Sequence, residues 1–144
     1  MRVWRSGLSK LLSRTLVPNY DADFASPPAP VARVIIRNPL AGKSVTGVPL
    51  LIDTGADATL IPRAILPYLD IDEETLEPTG YSLVGFDGTT SPAILVPVTL
   101  EFLGKWVAGQ YLLTEANYGV LGRDVLNLFR LVFDGPGSVW DEIV

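Results

Sequence analysis

Short apolar runs, broken by glycine, proline and polar turns, recur along most of this chain at the spacing of β-strands. Val31 to Arg37, Val45 to Ile52, Ile94 to Phe102, Trp106 to Thr114 and Leu131 to Phe133 are rich in residues that favour a pleated, half-buried surface. Gly104-Lys105 lies between the third and fourth of these runs and predicts a hairpin. Tyr81 to Thr90 carries Asp87-Gly88 between β-prone stretches and predicts another. Pro62 and Pro67 end the apolar run Thr59-Leu60-Ile61, and Asp70 to Pro78 reads as an acidic, solvated loop. The period changes after Gly122. Val125, Leu126 and Phe129 share one face of a short helix, and Asp124 lies near its start, where negative charge is favoured. The tail, Ser138 to Val144, returns to strand-like pairs at Val139-Trp140 and Ile143-Val144.

The first 30 residues read differently. Trp4, Leu8, Leu11, Leu12 and Leu16 recur at helical spacing, with Arg2, Arg5, Lys10 and Arg14 and no acid among them. Residues 1–16 therefore predict a basic amphipathic helix. It suits a membrane surface, an import-like presequence, or packing on the body of the protein. Asp21 to Pro30, with Pro27, Pro28 and Pro30, reads as an extended linker. The division is thus 1–30 as extension and linker, and 31–144 as one domain without internal repeat.

The candidate chemistry sits at Leu50-Leu51-Ile52-Asp53-Thr54-Gly55-Ala56-Asp57. A buried strand delivers one aspartate into a tight turn, where a carboxylate is costly unless paired or hydrogen-bonded. Thr54 has a hydroxyl that can hold the loop, Gly55 permits backbone geometry closed to other residues, and Ala56 is small enough for close approach. The Asp-Thr-Gly triplet alone is a weak signal, because Asp and Gly are common in turns. Its apolar approach and the second apolar run after it argue against a plain surface turn.

Taken with Val120-Leu121-Gly122-Arg123-Asp124-Val125-Leu126 downstream, this segment resembles the retropepsin family, the single-domain retroviral-type aspartic proteases. The resemblance covers about Val31 to the C-terminus. It implies an all-β, closed-barrel-like protomer with one short C-terminal helix, and an obligate homodimer with its active site on the two-fold axis. It further implies Asp53 of each protomer as the catalytic dyad, Thr54 bracing the two loops, and an ion pair of Asp57 with Arg123. It makes Gly85, Phe86, Asp87 and Gly88 the tip of a substrate-covering flap, and it suggests that the terminal strands interleave between protomers. An apolar preference around the cut also follows from it. Two departures stand out: the chain is longer than the retroviral enzymes, and Asp124 stands where they often have an amide.

Composition narrows the alternatives. The chain has no histidine and no cysteine, which excludes Ser-His-Asp and Cys-His catalysis and the common nitrogen and sulfur metal sites. No cofactor or metal is expected. A net charge of −5 argues against nucleic acid as a partner. Zero cysteines permit a reducing compartment, and the expected location is cytoplasmic. The expected partners are a peptide or protein substrate and a second copy of the chain. A binding or dimerisation module that keeps the fold without cleaving is the competing reading. Phe24-Ala25-Ser26 in the linker is a candidate for self-processing.

Overall fold

The computed structural model describes residues 18–85 and 87–144. The amphipathic segment 1–16 and Phe86 lie outside the described residues. Among the described residues ten strands carry the fold: β1 (Tyr20–Asp21), β2 (Ala29–Asn38), β3 (Lys43–Ile52), β4 (Leu60–Pro62), β5 (Pro78–Val84), β6 (Thr90–Phe102), β7 (Lys105–Thr114), β8 (Gly119–Leu121), β9 (Leu131–Asp134) and β10 (Val139–Glu142). A short α-helix, Arg123–Leu126, follows β8, and a 3₁₀ segment, Arg63–Leu69, follows β4.

The large sheet runs β1-β2-β3-β8-β4-β7-β6-β5, and β2 also pairs with β6. That extra pairing closes β2, β3, β8, β4, β7 and β6 into a ring, which is the closed, barrel-like protomer expected above. Most pairs are antiparallel, but β3–β8 and β4–β7 are parallel. The β6–β7 hairpin turns at Leu103 and Gly104, both at positive φ, one residue before the Gly104-Lys105 signal, because Lys105 already pairs with Phe102. Inside the ring lie Val34, Ile36, Val48, Leu50, Ile61, Ile65, Leu66, Leu69, Val96, Leu100 and Leu121, all nearly or fully inaccessible to solvent. Alternation along β2 and β6 sends every second side chain inward, the period a one-faced strand demands.

Pro67 does not end the segment after β4. It sits inside the 3₁₀ turns, whose Ile65, Leu66 and Leu69 plug one end of the barrel. Asn38 is buried and donates through its side chain to Leu69 O at 2.9 Å, tying this plug to β2. Tyr111 is also buried, and its hydroxyl donates to Val107 O at 2.7 Å. Burial, with Asp124 adding repulsion, pushes its pKa up to about 12. A raised folded value means stability that is complete below the unfolded value near 10 and declines as pH rises toward 12. In a 295 nm titration Tyr111 is expected to ionise last, and the Tyr111→Phe difference curve should isolate it. A difference curve centred near the ordinary value would contradict this burial.

The proline-rich segment is not an extended linker: it turns back on itself between β1 and β2 and is anchored at both ends. Tyr20 and Asp21 pair with Pro30 and Ala29. The Asp21 carboxylate pairs with Arg33 at 2.9 Å and accepts from Asp23 N and Phe24 N at 2.9 and 3.0 Å. The Phe24 ring meets Tyr118 edge-on, 4.4 Å between centroids. Cleavage near Phe24 therefore needs this packing undone first.

The tail also differs from the interleaving expectation. β10 is flanked within its own chain by β9 on one edge and by residues 18–20 on the other. Tyr20 N donates to Ser138 O at 2.9 Å and Trp140 N to Pro18 O at 3.2 Å. Trp140 is buried, stacked on Phe102, which in turn meets Phe129 edge-on. These rings fix the β9–β10 hairpin to the body, so the last strand is spent inside the protomer.

Candidate active site

Parallel pairing of β3 with β8 builds the site. Leu50, Leu51 and Ile52 lie opposite Gly119, Val120 and Leu121, and Asp53 N extends the ladder to Leu121 O at 3.1 Å. The two motifs, some 65 residues apart, are thus one structure. The chain then turns: Ala56 N donates to Asp53 O at 3.2 Å, and Arg123 N donates to Ala56 O at 2.9 Å. Asp53 is half-buried at the end of its strand, while Thr54 and Gly55 are exposed.

Gly55 N donates to Asp53 Oδ1 at 2.8 Å, which fixes the carboxylate. A Cβ on Gly55 would stand 3.1 Å from that same oxygen, so a larger residue here presses on the carboxylate it should orient. Ala56 is half-buried, with its carbonyl turned to the short helix.

Asp57 and Arg123 do meet. Arg123 Nη2 pairs with Asp57 Oδ1, and Arg123 Nη1 donates to Thr54 O at 2.7 Å. The Asp57 side chain is 89% exposed, so water and salt screen the pair and it contributes little to stability. Its value is positional. One guanidinium holds both ends of the loop that carries Asp53.

Thr59 was not singled out by the sequence as a site residue, yet it is the buried polar centre of the arrangement. Its hydroxyl donates to Asp124 Oδ1 at 2.6 Å and accepts from Gly122 N at 3.0 Å, while its own N–H donates to Asp124 Oδ2 at 3.0 Å. The only signal was a hydroxyl opening an apolar run, which is too common to act on. Asp124 thus has a further task beyond the helix start: a carboxylate accepts two hydrogen bonds from β4's approach at once. Thr59→Val keeps the shape but leaves the Gly122 N–H without its acceptor, at a cost of about 1–3 kcal/mol. Urea unfolding is the check, with Thr59→Ser expected to stay near wild type. Equal midpoints for Val and wild type would show that this network is idle.

The hairpin expected over Tyr81 to Thr90 is present as β5, β6 and their turn. Gly85 N donates to Thr89 O at 2.9 Å and Gly88 N to Gly85 O at 3.0 Å, with Gly88 at φ +83°. Asp87 accepts from the Thr89 hydroxyl at 2.7 Å and from Thr89 N at 3.0 Å. The Thr89 hydroxyl bond, then the backbone bond, hold its pKa below the ordinary carboxylate value. Tyr81 and Val84 project into solvent from this arm.

No family model and no curated protein sequence matches the chain. A solved structure does: EIAV protease complexed with the inhibitor HBY-793, at TM-score 0.55 and 25% identity, over 69% of this chain and 86% of that one. The chain has a retropepsin-like fold. In it, the closed ring, the loop at Asp53 and the short helix at Arg123 occur as the sequence resemblance implied. The sequence carries a single Asp-Thr-Gly, and its Asp53 stands at the end of β3.

Proposed function

We propose that this chain is an aspartic endopeptidase acting as a homodimer, with Asp53 of each copy forming the catalytic dyad. One observation carries the reading. A lone Asp-Thr-Gly carboxylate, fixed by the Gly55 N–H, sits half-buried at the strand end of a retropepsin-like fold. Two carboxylates a few ångströms apart cannot both be charged cheaply, so they retain one proton; aspartic proteases are the type case of this effect.

The ionised Asp53 then acts as general base on a water between the carboxylates, and the protonated one polarises the scissile carbonyl. Water adds to the carbonyl carbon, the proton passes to the dyad, and the departing amine takes a proton as the C–N bond breaks. No covalent enzyme intermediate forms. The β5–β6 hairpin, turning at Gly85 to Gly88, serves as the flap that covers the substrate and excludes solvent. Apolar side chains flanking the cut are the expected preference.

The test is digestion of a mixed peptide library by purified full chain across pH 3 to 7, read by mass spectrometry. Discrete cuts with apolar flanking residues support the proposal. A folded, dimeric chain that leaves the library intact at every pH would shift the weight to the binding module.

A further inference from the structure

Side chains two apart on a strand share a face, and residues paired across a sheet share it too. Asp53 extends β3 through its bond to Leu121 O, so its side chain leaves the strand on the face of Leu51. Leu51 lies opposite Val31 on β2 and Val120 on β8, and Val120 lies opposite Leu60 on β4. One row of apolar side chains therefore crosses four strands beside Asp53. This row is on the outside of the barrel, because the alternate residues Leu50 and Leu121 fill the inside. Leu51, Val120 and Leu60 are half-buried. Val31 and Pro49 have the same outward parity, yet both are buried.

The cover comes from residues 22–28, between β1 and β2. β1 lies on the far side of β2, two strands away from β8. Phe24 nevertheless meets Tyr118, which leads into β8, with 4.4 Å between ring centroids and 72° between planes. The segment must cross β2 and β3 to get there, and with the interior filled it crosses the outer face, over Val31 and Pro49. Its position is held. The Asp21 carboxylate accepts from Phe24 N at 3.0 Å and pairs with Arg33, which has the same outward parity. Along β3 the order is thus Pro49 covered, Leu51 half-open, then Asp53. Phe24 and Tyr118 bound the apolar row on the side away from the carboxylate, and Tyr118 keeps 40% of its surface exposed.

We propose that Phe24 is a specificity-determining residue: with Tyr118 it walls a pocket that takes an aromatic side chain next to the scissile bond. The proposal rests on the endopeptidase reading of Asp53. The floor is aliphatic, from Leu51, Val120 and Leu60, and a flat ring covers it. Two rings already set edge to face offer a third the same contact, which adds to the area buried. A small side chain leaves this wall untouched. The substrate site then draws on a residue that precedes the domain boundary near Val31.

The test compares two peptides that differ only in Phe or Ala beside a cut found in the library digest. Full-length wild type is expected to favour the Phe peptide in kcat/KM, and Phe24→Ala to narrow that Phe-to-Ala ratio by roughly 10- to 30-fold, the scale of lost apolar contacts in a pocket. Phe24→Leu should recover part of it. Lower stability or fewer active molecules would slow both peptides alike and leave the ratio unmoved, so the ratio separates a wall from a merely structural ring. Tyr118→Leu reads the same wall from the β8 side and serves if Phe24→Ala does not fold; it too should narrow the ratio. A ratio that stays at the wild-type value in active variants overturns the pocket and leaves the protease reading standing. Faster cutting of both peptides by Phe24→Ala, at an unchanged ratio, would make the ring an obstruction and also overturn it. A folded wild type that cuts neither peptide nor library overturns both readings.

Discussion

Asp53→Asn is expected to lower peptide cleavage by on the order of 10³-fold or more, the scale of a lost general base. The amide keeps the size of the carboxylate, and its oxygen still accepts from Gly55 N, so the loop is retained. What is lost is the capacity to take a proton from water, and in a homodimer both copies lose it together. Thermal unfolding beside the assay separates this from misfolding: the midpoint should stay close to wild type. Subunit exchange sharpens the test. With equal amounts of wild type and Asp53→Asn, about one quarter of dimers carry two intact carboxylates. Activity falling to that fraction would mean that the site is shared, and activity falling only to half would mean that each chain works alone. Equal cutting by the pure variant and wild type would point to a contaminating protease.

Gly119→Ala is expected to destabilise the protein by on the order of 3 kcal/mol, at the upper end of overpacking costs. A Cβ at Gly119 would stand 2.1 Å from Leu60 O and 2.4 Å from Leu50 Cδ2. The first neighbour is backbone, so no change of rotamer relieves it; β8 must separate from β4 or from β3. β8 is the strand that carries the second motif to Asp53, and the same shift would loosen the bond from Asp53 N to Leu121 O. A loss of this size lowers the thermal midpoint by roughly 10 °C in a domain of this length. Gly135→Ala is the matched control. Nothing lies within 4 Å of its Cβ, and it should unfold as wild type does. Similar midpoints for both variants would show that β8 can yield without cost.

Most strands were legible in the sequence because each signal is local. The period of two in Val31 to Arg37 and the Gly104 turn are written within a few residues. The Asp53 loop was legible for a similar reason, as an apolar strand ending in Asp-Thr-Gly. The part played by Pro67 was not, because a proline reads the same at a strand's end and inside a 3₁₀ turn; only the barrel end that Leu66 and Leu69 fill decides between them. Thr59 was illegible because its partners, Asp124 and Gly122, lie more than 60 residues away.

By itself, then, the sequence determined the all-β character, the position of the one Asp-Thr-Gly carboxylate, and the exclusion of histidine- and cysteine-based catalysis. These follow from residue types and short periods. Tertiary structure alone decided the closure of β2 on β6, the Thr59–Asp124 network under the loop, and the hold of Arg123 on Thr54 and Asp57. It also decided that, among the described residues, 18–20 and β9 occupy both edges of β10. Each depends on which distant segments share a hydrogen-bonding edge. Local periodicity carries no record of that choice, because the backbone groups that make it are the same in every residue but proline.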